Sequence, residues 1–222
     1  MKIRFLSYPM DSQMPVYGFA APAAPDIKKL RDLRKGDSSD SYWIGFNNHW
    51  GTHVDAPAHF FKNGRKAVDY PPDTWCFKRP QVLDVRLKPG ELLRRQHIEG
   101  AVKKRSDLLL LRSGWAKRRG RPVYSLNNPG IHEETGFWLR KYFPGIRAVG
   151  FDWVSLSSHA WKEEGRAAHR AFLDPSGRGE PLLIIEDMDL SGVNRGLKEV
   201  WALPLRVKGP DSAPCTVVGV FR

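Results

Sequence analysis

The residues best equipped for chemistry sit in one stretch, Asn48-His49-Trp50-Gly51-Thr52-His53-Val54-Asp55-Ala56-Pro57-Ala58-His59-Phe60. Three of the chain's seven histidines fall here, with an aspartate among them. Gly51 and Pro57 disfavour a helix. In an extended chain His49, His53, Asp55 and His59 point to one face. His53 and Asp55 then lie ~6.6 Å apart, close enough to converge on one ion. A straight strand would hold His49 ~13 Å from His53, too far for the same ion. The chain must therefore bend near Gly51, where a residue tolerant of positive φ is useful. Imidazoles with a carboxylate suit Zn2+, Mn2+ or Fe2+, and a carboxylate can bridge two such ions. Burying this set without a metal or an ordered network would be costly. Trp50 and Phe60 read first as core packing, with aromatic pocket walls as the alternative.

Such a site needs elements to carry it. Alternation and apolar runs predict strands over 2–6, 41–47, 81–87, 146–151, 182–186, 199–207 and 216–221. Leu108–Arg112 is a continuous apolar run, the pattern of a strand buried on both faces. Helices are predicted over 132–143, stopped by Pro144, and over 165–173. The segment 26–35 suits a short basic helix or exposed extended chain. Pro9, Pro15, Pro22 and Pro25 enforce an irregular segment before it. Several late strands follow one another without helices, which predicts a mixed α/β fold with a partly antiparallel sheet.

A chain of 222 residues with 41% hydrophobic residues buries a core and is not disordered. One domain over 1–222 is the expectation. Two cysteines, Cys76 and Cys215, exclude a disulfide-rich scaffold and a Cys-only metal cluster. No apolar run is long enough to span a membrane. The opening residues turn polar too soon for a signal-peptide core, so a cytoplasmic location is expected. The net charge is +12. Its main clusters are Lys28-Lys29 with Arg34-Lys35, Lys103-Lys104-Arg105 and Lys117-Arg118-Arg119-Gly120-Arg121. They match no nucleic-acid-binding motif and read as solvated faces and loop tips, or as a field that attracts an anionic substrate.

The stretch His49-Trp50-Gly51-Thr52-His53-Val54-Asp55-Ala56-Pro57-Ala58-His59-Phe60 resembles the signature of the cyclase family. That family includes bacterial-type kynurenine formamidases, isatin hydrolases and some polyketide-pathway cyclases. The resemblance continues colinearly through Leu6–Met10, Val82–Val85, Leu109–Trp115, Ala148–Leu156, His169–Leu173, Ile184–Leu190 and Ala202–Leu205. It implies a single-domain, mixed-sheet β/β/α fold, swivelling-domain-like, in a homodimer. It implies one or two divalent ions, Zn2+ or Mn2+. His49 and His53 would bind the first, His169 the second, and Asp55 and Glu186 would bridge. His59 would be the general acid/base and Tyr17 a substrate contact. Asp152 and Ser155 are candidates to support the ligands, or a strand-end turn with its cap. His97 and His132 read as surface residues, while His159 could line the pocket. The resemblance implies a metal-dependent hydrolase of a formyl or cyclic amide of a small aromatic or anionic compound. The alternatives are a metal-dependent cyclase or dehydratase acting on a polyketide-like acid and, from another class, a basic nucleic-acid-binding protein. Residues 174–181 read as an inserted loop, and together with Trp153, Ser157–His159 and Trp161 they depart from the formamidase pattern.

Overall fold

The computed structural model describes residues 1–193 and 196–222. In chain order the strands are β1 (Lys2–Phe5), β2 (Asp26–Arg31), β3 (Ser41–Gly45), β4 (His53–Asp55), β5 (Cys76–Phe77), β6 (Pro80–Asp84) and β7 (Leu92–Leu93). They continue as β8 (Leu108–Arg112), β9 (Gly130–Ile131), β10 (Ala148–Phe151), β11 (Leu183–Glu186), β12 (Leu197–Pro204) and β13 (Ala213–Phe221). The α-helices are α1 (Pro122–Leu126), α2 (Glu133–Tyr142) and α3 (Lys162–Leu173).

One large sheet runs in the order β5-β12-β13-β4-β11-β10-β8-β6, with β1 also on β13. The β6, β8, β10 and β11 block is parallel. The remaining pairings, including β4 with both β11 and β13, are antiparallel. The mixed sheet is therefore the one that the pattern of late strands predicts. Its central strands are apolar throughout because they are covered on both faces. Leu109, Leu111, Val149, Phe151 and Ile184 pack towards α2 and α3, with Trp138, Leu139, Phe172 and Leu173. Leu108, Leu110, Ala148, Leu183 and Ile185 pack the other way, against Val54 of β4 and Val200, Ala202 and Val217 of β12 and β13.

The helices form where expected, with shifted ends. His132 is the N-cap of α2, its Nδ1 accepting from the Glu134 amide, so it is a capping residue beside the surface. Within the segment 26–35, Asp26–Arg31 takes the extended alternative, pairing with β3 in a two-stranded hairpin, and Leu33–Lys35 forms a short 3-10 turn. Residues 174–181 form a loop between α3 and β11, held by Arg140, which donates to the carbonyls of Ala171, Asp174 and Gly179. Cys76 and Cys215 are free thiols. No helix among the described residues is long and apolar enough to cross a membrane.

Candidate metal centre

The predicted bend is present. Gly51 has φ +66°, in the left-handed region. The strand that follows is only three residues long, and Pro57 turns the chain again into a short 3-10 turn over Pro57–His59. The extended reading of the whole stretch therefore holds only for His53–Asp55. Two turns, rather than one long strand, fold His49 and His59 back beside it. Their rings come to 4.4 Å from each other, and His49 to 5.1 Å from His53.

The β4–β11 register completes the set. Glu186 stands directly opposite His53, and Asp55 opposite Ile184. His53, Asp55 and Glu186 thus share one face of the sheet, the one towards α3. His169 reaches that face from α3. The helix can approach because position 165 is glycine: a Cβ there would meet Ser157 Oγ at 2.3 Å. His53, Asp55, His169 and Glu186 are all buried.

Hydrogen bonds decide which ring nitrogen faces inward. A carbonyl can only accept, so a ring nitrogen bonded to one carries the hydrogen. His53 Nδ1 donates to the Gly51 carbonyl at 2.9 Å, and His169 Nδ1 to the Gly165 carbonyl at 2.9 Å. The inward atoms are then the two Nε2 lone pairs. His53 Nε2 lies 3.5 Å from Asp55 Oδ1 and 3.4 Å from Glu186 Oε2. His169 Nε2 lies 3.7 Å from Asp55 Oδ2 and 3.7 Å from Glu186 Oε1. His49 Nδ1 stands 3.2 Å from Asp55 Oδ1 without making a hydrogen bond to it, and that oxygen is buried with no partner. Acceptors therefore face acceptors at 3.2–3.7 Å. Tetrahedral ligands at ~2.1 Å from one ion stand roughly 3.4 Å apart. The donor set fits a divalent cation on spacing, atom type and the orphaned oxygen together. The ligand atoms of His49, Asp55 and His59 lie within 4.8 Å of one another, as do those of His53, Asp55 and Glu186.

Without such an ion, protons take the cation's place. Burial works against a charged His49, but Asp211 and Asp55 outweigh it and raise its pKa to about 10. His169 is raised to about 9 in the same way, by Asp55 and Glu186 against burial. Burial opposes ionisation of Asp55 too, yet the surrounding histidines hold its carboxyl well below the usual range.

The other expected residues are placed unevenly. A cavity of ≈240 Å3 is lined by the five histidine and carboxylate ligand candidates, His59, Tyr17, Phe60, Ser155 and two further residues. Ser155 Oγ donates to Glu186 Oε1 at 3.3 Å, and the Leu156 amide donates to the same oxygen at 2.6 Å. Asp152 touches none of the ligands. It accepts from the Ser113 amide and hydroxyl and the Gly114 amide, closing the turn after β8. Tyr17 Oη donates to the Ser158 carbonyl, and His159 lies edge-on behind the Tyr17 ring at 5.6 Å, outside the cavity lining. His97 is exposed. Phe60 is a pocket wall as well as a packing residue: it stacks on the His169 ring at 4.8 Å and 11°. Trp50 is half-buried and outside the lining.

Two contacts escape the sequence reading, one at the site and one structural. Asp211, just before β13, accepts from His49 Nε2 at 3.1 Å and His59 Nδ1 at 2.7 Å. Arg119 was read with its basic neighbours as a loop tip, but it turns inward and pairs with buried Asp187 at 2.8 Å. The cluster Lys103-Lys104-Arg105 behaves differently again. Lys103 and Arg105 border a separate cleft of ≈960 Å3 along β6, which holds no histidine.

Known proteins resemble the chain in sequence and in fold. The model of the Cyclase family, described as "Putative cyclase", matches residues 5–158. The chain is 30% identical to a kynurenine formamidase of Bacillus anthracis, over 96% of this chain and 94% of that one. It is 26% identical to cyclase-like protein 1 of Arabidopsis thaliana, over 96% and 82%. Among solved structures, isatin hydrolase A from Labrenzia aggregata superposes with a TM-score of 0.79 at 20% identity, covering 98% of this chain and 93% of that one. A structure described as a potential metal-dependent hydrolase with cyclase activity gives 0.77 at 22% identity, covering 100% and 98%. The fold is that of these proteins. The chain belongs to the Cyclase family and stands among its hydrolases.

Proposed function

We propose that residues 1–222 form one catalytic domain that hydrolyses an amide, formyl or cyclic, of a small aromatic or anionic compound. The observation that carries this is the convergence of His49, His53, Asp55, His169 and Glu186 with their acceptor atoms turned inward, beside a cavity of ≈240 Å3. The kynurenine formamidase relative supports the amide. Asp55 and Glu186 each present one oxygen to His53 and the other to His169. That arrangement would let His49 and His53 hold one divalent ion, Zn2+ or Mn2+, and His169 a second, with Asp55 and Glu186 available to both.

A divalent ion held there supplies a Lewis acid and a water acidic enough to ionise near neutral pH. The chain's own residues do the rest. His59 Nδ1 is bonded to Asp211, so Nε2 takes the water proton and returns it to the leaving nitrogen. Phe60 and Tyr17 flank an aromatic substrate, and the net charge of +12 favours an anionic one. Screening N-formylkynurenine, isatin and related cyclic amides against wild type and His59→Ala tests the reading. We expect turnover of at least one amide and a loss of about 10²–10⁴ in kcat in the variant. No amide turnover by metal-loaded wild type would refute it. The family's description favours one second reading, dehydration or cyclisation of a polyketide-like acid at the same site. Reaction in H₂¹⁸O separates the two, because only hydrolysis places label in the product.

We also propose a homodimer built on the β2–β3 hairpin. Ile27, Leu30, Tyr42, Trp43 and Ile44 are all exposed on it. A two-stranded hairpin is marginal alone, and this one exposes apolar side chains on both faces, Ile27, Tyr42 and Ile44 on one and Trp43 on the other, which suits burial against a second copy. Trp43→Ser with Ile44→Ser should shift the sedimenting species from dimer to monomer. The free thiols of Cys76 and Cys215 support a cytoplasmic location.

A further inference from the structure

Among the described residues, Asp211 is the carboxylate that hydrogen-bonds to both His49 and His59. Its Oδ2 accepts from His49 Nε2 at 3.1 Å, from His59 Nδ1 at 2.7 Å and from Ser212 Oγ at 3.1 Å. Its Oδ1 accepts from Asn48 Nδ2 at 2.9 Å. The carboxylate is thus fixed at both oxygens before it meets either ring. An ionised carboxylate can only accept, so both rings must present N–H to it. The consequence differs for the two histidines. In His49 the neutral ring then carries its lone pair on Nδ1, the atom 3.2 Å from the orphaned Asp55 Oδ1. In His59 the lone pair is left on Nε2, which makes no hydrogen bond among the described residues. Had His59 been oriented the other way, its hydrogen would occupy the nitrogen that must take the proton.

We propose that Asp211 is a positioning residue that sets the tautomer of His49 as a metal ligand and of His59 as the acid/base. This deepens the hydrolase reading and rests on it for the His59 role, but the tautomers and the ion affinity are measurable without any substrate. The main chain of Asp211 has its own structural bond, its carbonyl accepting from the Ala67 amide, which survives substitution of the side chain. Both rings meet Oδ2, so in Asp211→Asn either the amide nitrogen replaces that acceptor or the amide oxygen keeps it and the new NH2 faces the Asn48 Nδ2 donor, which makes it the milder variant. Asp211→Ala removes both acceptors.

Histidine tautomers are read by ¹H–¹⁵N correlation NMR of zinc-loaded protein labelled at the imidazole nitrogens. Wild type should show His59 protonated at Nδ1. Asp211→Ala should change that signal, towards the Nε2–H form or a mixture, and Asp211→Asn should change it less. Zn2+ affinity, measured by chelator competition, should weaken about 10–100-fold in Asp211→Ala and less in Asp211→Asn. With saturating Zn2+, kcat of Asp211→Ala on whichever amide the wild type turns over should stay about 10²-fold or more lower, with KM within about threefold. Asn48→Ala, which leaves Asp211 in place but loosens it, should move the same readouts less. The proposal is overturned if His59 keeps its Nδ1–H signal in Asp211→Ala and Zn2+ affinity stays within twofold. If wild type turns over no amide while the tautomer and affinity shifts occur, the hydrolase reading fails and the positioning role stands.

Discussion

Glu186 and Asp187 are consecutive buried carboxylates with opposite surroundings. Asp187 is met by donors: Arg119 binds it through two nitrogens, and Tyr124 Oη donates to its Oδ1 at 2.6 Å. Even so, burial raises its pKa, with the Arg119 charge opposing that shift. Glu186 takes Leu156 N–H and Ser155 Oγ on one oxygen, while both oxygens face histidine lone pairs. Asp187 also adopts φ +50°, which turns its side chain away from that of its neighbour. The lesson is that burial and charge do not separate a strut from a site. The pairing of donors with acceptors does. A cluster whose donors and acceptors match is complete as protein, and one in which acceptors meet acceptors calls for a cation.

That contrast can be broken experimentally, most severely at the ion. Asp55→Ala and His53→Ala should each reduce bound metal in purified protein from about stoichiometric to background, measured by elemental analysis. Unchanged metal content would remove the site. At the strut, Arg119→Ala leaves Asp187 buried without its cation, which costs about 3–5 kcal/mol of stability. Denaturant unfolding should show that loss, while the folded fraction still binds metal. Loss of metal with unchanged stability would reverse the two roles.

A subtler distinction lies in pH. In ion-free protein His49 and His169 have pKa values of about 10 and about 9, above the unfolded value of 6.5. A group whose pKa is raised on folding stabilises fully below its unfolded pKa, and that stabilisation is lost as pH rises through the folded value. The melting temperature of chelator-treated protein should therefore fall between pH 6.5 and about 10. Metal-loaded protein should lack this fall, since the ion replaces the protons. Parallel pH profiles would mean that the histidines do not share their protons with the metal site.

Much of the site is legible in the sequence because its core is local. His49, His53, Asp55 and His59 lie within eleven residues, and the need for a bend at Gly51 follows from strand geometry alone. His169 and Glu186 were reached only through the family resemblance, since no spacing rule links them to residue 53. The central strands were legible for a different reason: Leu108–Arg112 must be apolar at every position when both faces are covered. The hairpin was ambiguous because Asp26–Arg31 is exposed at nearly every position, and an exposed segment carries no burial pattern to read. Asp152 stays open in the sequence, as ligand support or as a strand-end cap, because an aspartate near a site has the same signature in either role, and the structure shows the cap.

Composition and local order determined the chemistry available to this protein. With two cysteines and a tight histidine–aspartate cluster, a metal site had to use imidazole and carboxylate. The mixed sheet followed from where the apolar runs fall. Tertiary structure alone decided which acids join the histidines and which are neutralised. The β4–β11 register sets Glu186 opposite His53, and the β4–β13 pairing, with Pro214 opposite His53, brings Asp211 to His49 and His59. Asp211 and His59 are 152 positions apart, so no local pattern couples them. A one-residue slip in the β4–β11 pairing would turn Glu186 to the other face. Register is a property of the folded sheet, set by burial on both of its faces.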